Sequence, residues 1–202
     1  VGISPEEVEN LIHGTTRVTN AIVEEKLPAV ALVSTYGFED TLAIARLRRR
    51  DLYRLDVPPR REPLVSAEQS FGVPGRIEHT GVVYEPIDLT ALEQVVDEVM
   101  ATGVESVAVS LLHSYANPEH ELMVGKALGS RVRHVSLSHQ VNPEAREYER
   151  TSSTVLNAAT MPIAVEYIDE LIKKLPLEGR LQLFHSAGGC CAARLTVTGH
   201  TA

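Results

Sequence analysis

Two short apolar runs constrain the fold of this chain more than any other feature. The runs AVALVS at residues 29–34 and SVAVSLL at residues 106–112 are uninterrupted, as is typical of buried strands. Around them, apolar side chains recur every three or four positions, most regularly over residues 89–100, which indicates amphipathic helices. Because strands that alternate with helices form βαβ units, the sequence predicts an α/β fold with a largely parallel sheet covered by helices.

The remaining segments add further predicted elements. Helices are predicted over residues 4–12, where Ser4-Pro5-Glu6-Glu7 forms a capping box, and over residues 17–26, 38–45, 88–100, 117–128 and 142–175, the last with a break at Pro162. Further strands are predicted over residues 132–137 and 181–184, and a β-hairpin over residues 76–84. The residues after Gly189 show no helix or strand pattern.

Composition and charge exclude several classes of function. The 202 residues carry 19 Lys and Arg against 27 Asp and Glu, a net charge of −8, which disfavours general binding to nucleic acid or to an anionic membrane. No apolar run reaches the roughly 18 residues that a membrane span needs. The two cysteines, Cys190 and Cys191, are adjacent and offer no disulfide framework, so we expect a reducing, cytoplasmic location.

Residues 46–61 differ from the rest of the chain in charge. They contain seven Arg and two Asp, a local charge of +5. We expect a loop outside the core, in which the Arg side chains pair with acidic neighbours or with a partner subunit. A contact with an anion or with nucleic acid is the alternative, and the acidic remainder of the chain disfavours it.

Familiar nucleotide and metal motifs are missing from the sequence. Gly125-Lys126 is followed by Ala127 instead of the Ser or Thr of a phosphate-binding loop. His120-Glu121 is followed by Val124 at the position where a zinc-protease helix has its second His. The sequence therefore predicts no metal site.

Three segments are candidate ligand contacts. His13-Gly14-Thr15-Thr16 lies between two helix patterns, and its hydroxyl and backbone N–H groups suit a phosphate or carboxylate, while a plain helix cap fits the same residues. Residues 146–154 (REYERTSST) form either a helix that faces a polar cleft or a solvated polar face. Residues 185–189 (HSAGG) follow a predicted strand, where α/β proteins bind ligands, but a Gly-Gly pair is also typical of a turn.

Four blocks, taken in order, resemble one family of enzymes. They are HGTTRVTNAIVEEK from residue 13, VALVSTYGFEDTLAIARLRRRDLYRLD from residue 30, VAVSLLHSYANPEHE from residue 107 and REYERTSSTVLNA from residue 146. Over about residues 4–189 the chain resembles the hydantoinase A/5-oxoprolinase family, which includes N-methylhydantoinase and acetone carboxylase subunits.

The resemblance implies a fold and an activity. The implied fold is the α/β, ribonuclease H-like fold of actin-like and sugar-kinase-like ATPases, with a mixed sheet, flanking helices and elements missing at both ends. The implied activity is ATP- and Mg²⁺-dependent opening of cyclic amides of the hydantoin or 5-oxoproline type, with a second, hydantoinase B-type subunit or domain as partner. Phosphorylation of an amide or carboxylate oxygen would turn a poor leaving group into a good one.

The family's blocks also imply site residues by position. Those implied to contact the nucleotide or substrate are His13, Gly14, Thr15, Thr16, Ser186, Gly188 and Gly189. The implied catalytic residues are Arg150 and Thr151, on a helix that faces the cleft.

The resemblance divides the chain into three parts. Residues 1–160 correspond to the family's N-terminal region with a loop-rich insertion at 46–88, residues 161–189 to the start of its catalytic region, and residues 190–202 to neither. The family's Asp-x-Gly-Gly-Thr phosphate loops would lie before Val1 and after Gly189, so we expect a fragment that binds nucleotide weakly by itself.

Two alternatives stay open on the sequence. One is the ATP-using subunit of an acetone-type carboxylase, because that enzyme class shares the same blocks. The other is a non-catalytic module whose Arg-rich segment 46–61 docks a second subunit.

Overall fold

The computed structural model describes residues 8–47, 53, 56, 62–175, 180–184 and 188–192. The chain separates into two compact units, a smaller one of Val1–Pro28 with Thr160–Ala202 and a larger one of Ala29–Ala159. Within the described ranges, no helix combines the length and the apolar character needed to cross a membrane.

The secondary structure alternates between strands and helices along most of the chain. The strands are β1 (Leu11–His13), β2 (Val30–Thr35), β3 (Ser70–Val73), β4 (Arg76–Ile77), β5 (Val83–Glu85), β6 (Ser106–Ser110), β7 (His134–Leu137), β8 (Leu181–Phe184) and β9 (Cys190–Ala192). The helices are α1 (Arg17–Val23), α2 (Thr41–Ile44), α3 (Leu89–Ala101), α4 (Glu119–Gly129), α5 (Ser138–Val141) and α6 (Glu147–Lys174).

The larger unit is built on a parallel sheet. Its strand order is β3-β2-β6-β7, and every neighbouring pair is parallel. All residues of β2 and β6 are buried, as their continuous apolar runs predict for the centre of a covered sheet. The prediction of a largely parallel sheet is thus confirmed for this unit, and the predicted hairpin is present as β4 and β5.

Helix α3 shows how local sequence positions the helical layer. The Asp88 carboxylate accepts hydrogen bonds from the backbone N–H groups of Thr90 (2.8 Å) and Ala91 (3.3 Å) and so caps the first turn. Gly103 follows the helix with a φ of 71°, a left-handed conformation that glycine adopts without strain. The apolar face of α3 packs with the sheet and α4 in a core that includes Val96, Val99 and Leu128.

The smaller unit contains a second, three-stranded sheet. Its order is β1-β8-β9, with β1 parallel and β9 antiparallel to β8. Two sequence predictions are wrong here, because Leu11 and Ile12 lie in a strand instead of a helix, and residues 190–192 form a strand where none was expected. Both strands are three residues long, so their pairing with β8 determines them more than their own residue pattern does.

Helix α6 differs from its prediction at two points. It begins at Glu147 instead of residue 142, and it continues through Pro162 without a break. Pro162 removes one backbone N–H from the helix. Buried side chains before and after it, including Ala158, Ala159 and Ile168, hold the neighbouring turns by packing. Tertiary contacts therefore override the helix-breaking tendency of this proline.

The basic segment 46–61 lies mostly outside the described residues. Its first residue, Arg46, forms an ion pair with Glu149 of α6. This pair agrees with the expectation that Arg side chains of the segment meet acidic neighbours.

Buried histidines make the stability of the protein depend on pH. His134 is buried at the start of β7 opposite Ser106, and its Nε2 atom makes no hydrogen bond within the described part of the chain. Burial lowers the pKa of His134 below the ordinary value of 6.5, and it lowers the pKa values of His113 and His120 in the same direction. The unfolded chain therefore binds protons first on acidification, so the free energy of unfolding falls as the pH drops through 6.5.

We expect the melting temperature to fall between about pH 7.5 and about pH 5.5, because the unfolded state gains protons in this range. The fall should be smaller in His134→Val, which removes one of the buried imidazoles and keeps a β-branched residue in the strand. Thermal unfolding followed by circular dichroism at several pH values measures both. An equal fall in the variant and in the wild type would contradict the assignment of His134.

Candidate functional site

The segment His13–Thr16 connects β1 to α1 in the smaller unit. His13 ends β1, and its Nε2 atom lies 2.6 Å from the hydroxyl of Tyr167 on α6, with the two rings 5.7 Å apart. The hydroxyl of Thr15 accepts a hydrogen bond from the backbone N–H of Arg17 at 3.2 Å. Thr16 precedes α1, but its side chain does not cap the helix. Within the described residues, the Thr16 hydroxyl is therefore available for a ligand.

A cavity of about 540 Å³ lies beside this segment. Its polar lining includes Thr15, Thr16, Arg17, Asn20, Lys26 and Glu166. The guanidinium of Arg17 stands 5.4 Å from the ring centroid of Tyr167, which orients it without neutralising its charge. Lys26 pairs with Glu24 at 2.7 Å on the exposed surface, so this pair is weak. Hydroxyl, amide and cationic groups thus meet two carboxylates, those of Glu24 and Glu166, at one cavity, so a polar ligand finds both hydrogen-bond donors and acceptors there.

His13 and Gly14 do not line this cavity, although they directly precede Thr15 in the sequence. The imidazole of His13 is engaged by Tyr167. A side chain at Gly14 would meet no atom within 4 Å, so no close neighbour requires glycine there.

The glycines of the last predicted block stand before β9. Gly188 and Gly189 both have a φ of 91°, in the left-handed region, and a Cβ at either would meet no atom within 4 Å. Backbone conformation requires glycine at these two positions, and close packing does not. Ser186 lies outside the described residues.

In the larger unit, a fully buried carboxylate organises the ends of β6 and β7. Glu121 of α4 has 0% exposure. One of its oxygens accepts hydrogen bonds from the backbone N–H of Leu111 (2.9 Å) and the hydroxyl of Ser138 (2.6 Å). The other oxygen accepts from the backbone N–H (3.0 Å) and Nδ1 (2.7 Å) of His139. Four donors therefore compensate for the loss of water around this charge.

Arg150 of α6 completes this cluster. It is 1% exposed, and its guanidinium donates to Ser138 Oγ (3.1 Å) and to the carbonyl oxygens of Glu144 (2.6 Å) and Leu111 (2.9 Å). Burial lowers the pKa of the Arg150 guanidinium, and the nearby Glu121 and Glu147 carboxylates oppose that shift. We call Glu121, Ser138, His139 and Arg150 the buried polar cluster.

Thr151 is also inside the protein. It is 3% exposed, and its hydroxyl lies 2.8 Å from that of Ser110 at the end of β6. The expectation that Arg150 and Thr151 face a cleft thus differs from the structure, because strand-end carbonyls and hydroxyls supply their partners. Their burial favours a positioning role, and a catalytic role for either residue stays a prediction.

Sequence reasoning missed the central carboxylate. As a motif, His120-Glu121 resembles only the start of a zinc-binding helix. The available signal was a charged residue on the face of α4 that also carries the buried Val124 and Leu128, since a charge on an apolar face needs buried partners. In the described ranges, no group of three or more His, Cys, Asp or Glu side chains has the arrangement of a metal site.

Comparison with known proteins gives one family and several relatives. Residues 1–132 match the model of the hydantoinase/oxoprolinase N-terminal region. The chain is 34% identical to caprolactamase subunit alpha of Pseudomonas jessenii, over 94% of this chain and 29% of that protein. It is 30% identical to 5-oxoprolinase 1 of Arabidopsis thaliana, over 99% of this chain and 17% of that protein. It is 28% identical to the acetophenone carboxylase gamma subunit of Aromatoleum aromaticum, over 94% of this chain and 29% of that protein.

A solved structure shares the fold. The crystal structure of ATP-dependent caprolactamase from Pseudomonas jessenii aligns with a TM-score of 0.81 and 31% identity, over 94% of this chain and 28% of that one. The expected α/β fold of the actin-like ATPase type is thereby confirmed. The chain spans less than a third of the length of each of these proteins.

Replacement of Arg150 tests the role of the buried polar cluster. Arg150→Met keeps much of the side-chain volume but leaves Ser138 Oγ and two carbonyl oxygens without their donor, and it removes the positive charge near Glu121. We expect a loss of about 3–5 kcal/mol in the free energy of unfolding, since a buried positive charge that offsets the nearby Glu121 carboxylate is removed. The control is Arg146→Met, because the side chain of Arg146 is exposed. For this variant we expect the free energy of unfolding to change by less than about 0.5 kcal/mol. Urea unfolding measures both, and equal stability of the two variants would contradict a structural role for Arg150.

Proposed function

The chain belongs to the hydantoinase/oxoprolinase family, in its N-terminal region, and from this premise we propose that it is part of an ATP-dependent enzyme that hydrolyses cyclic amides. The observation that carries the proposal is the similarity to caprolactamase subunit alpha, which extends over 94% of this chain at 34% identity. The match to the family model over residues 1–132 supports it independently.

The cavity beside Thr15 and Thr16 fits part of a nucleotide. Its hydroxyls and the guanidinium of Arg17 are groups that bind phosphate or ribose oxygens. Glu24 and Glu166 line the same cavity, and Mg²⁺ is commonly held by one or two carboxylates together with phosphate oxygens. When bound, ATP with Mg²⁺ supplies a phosphoryl group that converts an amide or carboxylate oxygen into a good leaving group.

The proposed roles of the site residues follow from their places. Thr15 and Thr16 contact the nucleotide through their hydroxyls, and His13 and Gly14 set the path of the backbone before them. Gly188 and Gly189 provide a left-handed turn before β9 in the same unit. Arg150 and Thr151 act on the reaction indirectly by fixing the strand ends of the larger unit.

The proposal extends to a partner and a location. Caprolactamase subunit alpha and acetophenone carboxylase gamma subunit are each named as one subunit of an enzyme. We therefore propose a hydantoinase B-type subunit or domain as partner, and the cytoplasm as the location, because two cysteines that are adjacent in the sequence offer no disulfide framework.

A second candidate is the ATP-using subunit of a carboxylase. The 28% identity to the acetophenone carboxylase gamma subunit favours it specifically. The two candidates use ATP in the same way and differ in the molecule that is activated, so the substrate distinguishes them.

The test is an assay of the complete native complex that contains this chain. We expect release of ADP that depends on a cyclic amide and equals the amount of ring opened, with caprolactam, 5-oxoproline and hydantoin as probes. ADP release that depends instead on acetone or acetophenone together with bicarbonate would replace the main proposal by the carboxylase. Absence of both activities would contradict both candidates.

A pair of threonine variants tests the nucleotide contact. Thr16→Val removes one hydroxyl at the cavity and should raise the KM for ATP about tenfold, the effect of one lost hydrogen bond to a charged group. Thr90→Val, on the exposed first turn of α3, is the matched control and should leave the KM unchanged. An unchanged KM in Thr16→Val would contradict the assigned contact.

A further inference from the structure

A second cavity, of about 380 Å³, lies in the larger unit. The hairpin β4–β5 and the turn that follows β6 form it, and its lining residues are Arg76, Ile77, Glu78, His79, Tyr84 and His113. Its volume is in the range of small-molecule sites, and the carboxyl ends of parallel strands are where α/β sheets bind ligands. None of these residues belongs to the site proposed for the nucleotide.

Among the described residues, Arg76 forms no ion pair and brings a positive charge to this cavity, which Glu78 also lines. Its guanidinium stands 5.3 Å from the ring centroid of Phe38, a contact that orients the group. Within the part of the chain that the structure describes, its side chain makes no ion pair and no hydrogen bond. A planar guanidinium in this state has all its donors available for a carboxylate.

His113 is held in a strained conformation at the cavity. Its φ is 56°, in the left-handed region, which is unfavourable for a residue with a β-carbon. The backbone N–H groups of Ala116 (2.9 Å) and Asn117 (3.1 Å) donate to its carbonyl oxygen and stabilise this turn. Strain of this kind persists where the surroundings fix it and is concentrated at functional sites.

The buried polar cluster determines which nitrogen of His113 serves the cavity. The hydroxyl of Tyr115 lies 3.2 Å from His113 Nδ1, and the guanidinium of Arg150 stands 5.5 Å from the Tyr115 ring centroid. A cation over the ring makes the phenol a better donor, which favours the tautomer in which Tyr115 donates to Nδ1. The proton of a neutral imidazole then resides on Nε2, which becomes a donor. Burial lowers the pKa of His113, which keeps its ring neutral near neutral pH.

The charges of the lining define the class of ligand. Arg76 and Glu78 contribute one positive and one negative charge, and the His113 ring is neutral. A phosphate dianion or a triphosphate would meet too little positive charge here, whereas a single carboxylate is matched by one guanidinium and one imidazole N–H.

We propose that this cavity binds the carboxylate of a small molecule, with Arg76 as its ion-pair partner and His113 Nε2–H as a second donor. The identity of that molecule rests on the proposed function, because addition of water across a cyclic amide C–N bond gives a carboxylate and an amine. The cavity is then a product site, distinct from the cavity beside Thr15 and Thr16.

The test is a titration of protein labelled with ¹³C at histidine, followed by nuclear magnetic resonance. The probes are hexanoate, its neutral isostere hexanamide, and inorganic phosphate. We expect hexanoate to shift the His113 resonance in a saturable manner, and hexanamide and phosphate to bind at least about tenfold more weakly, since neither supplies a matched single charge. Equal binding of hexanamide, or tighter binding of phosphate, would overturn the proposal.

Variants assign the binding to the two residues. Arg76→Met should weaken hexanoate binding by about 10- to 100-fold, and Arg76→Lys should weaken it by a smaller factor. His113→Asn should also weaken hexanoate binding, and asparagine tolerates the left-handed backbone at this position. Arg133→Met, whose weak exposed pair with Glu105 is 3.7 Å long, is the matched control and should bind as the wild type does. Wild-type affinity in Arg76→Met would overturn the proposal.

The titration needs no ATP, so it separates this site from the proposed function. Carboxylate binding without ring opening would contradict the proposed function alone, and ring opening without carboxylate binding would contradict this site alone.

Discussion

The buried carboxylate of Glu121 is the interaction on which the larger unit depends. A charge at 0% exposure is tolerated only when hydrogen bonds replace its water, and here four donors from two segments do so. These donors lie at the end of β6 and the start of α5, so the carboxylate fixes where two neighbouring strands end. The Arg150 guanidinium then joins the start of α6 to the same place.

The polar groups at the strand ends extend this arrangement across the sheet. The hydroxyl of Thr35, the last residue of β2, accepts a hydrogen bond from the backbone N–H of Leu112 at 3.0 Å. The Thr35 hydroxyl thus satisfies a backbone group where the ladder of the sheet stops. The hydroxyls of Ser110 and Thr151 lie 2.8 Å apart and join the end of β6 to α6. The turn that carries His113 and Tyr115 follows directly, and its left-handed conformation is held because both of its neighbours are fixed.

The sequence predicts those elements whose residues decide their own conformation. The runs of β2 and β6 are long, apolar and uninterrupted, and α3 carries its own Asp88 cap and apolar face. Strands β1 and β9 could not be predicted, because a three-residue strand has no recognisable period and is defined by its partner β8. The continuity of α6 through Pro162 depends likewise on packing that no local pattern reports.

The candidate site divides in the same way. Resemblance to the family identified Thr15 and Thr16, which do line a cavity. It also identified Arg150, whose burial was not foreseen because a charged residue in a polar stretch resembles a solvated one. Glu121 lies on the apolar face of α4, but that position does not identify its partners, which are residues 10 to 18 positions away in the sequence. A double-mutant cycle on Glu121→Leu and Arg150→Met measures this dependence most directly. We expect the double variant to lose about 1–3 kcal/mol less free energy of unfolding than the two single variants lose together. The reason is that the double variant leaves no unpaired buried charge. Additive losses would contradict the claim that the two side chains stabilise the strand ends as one unit.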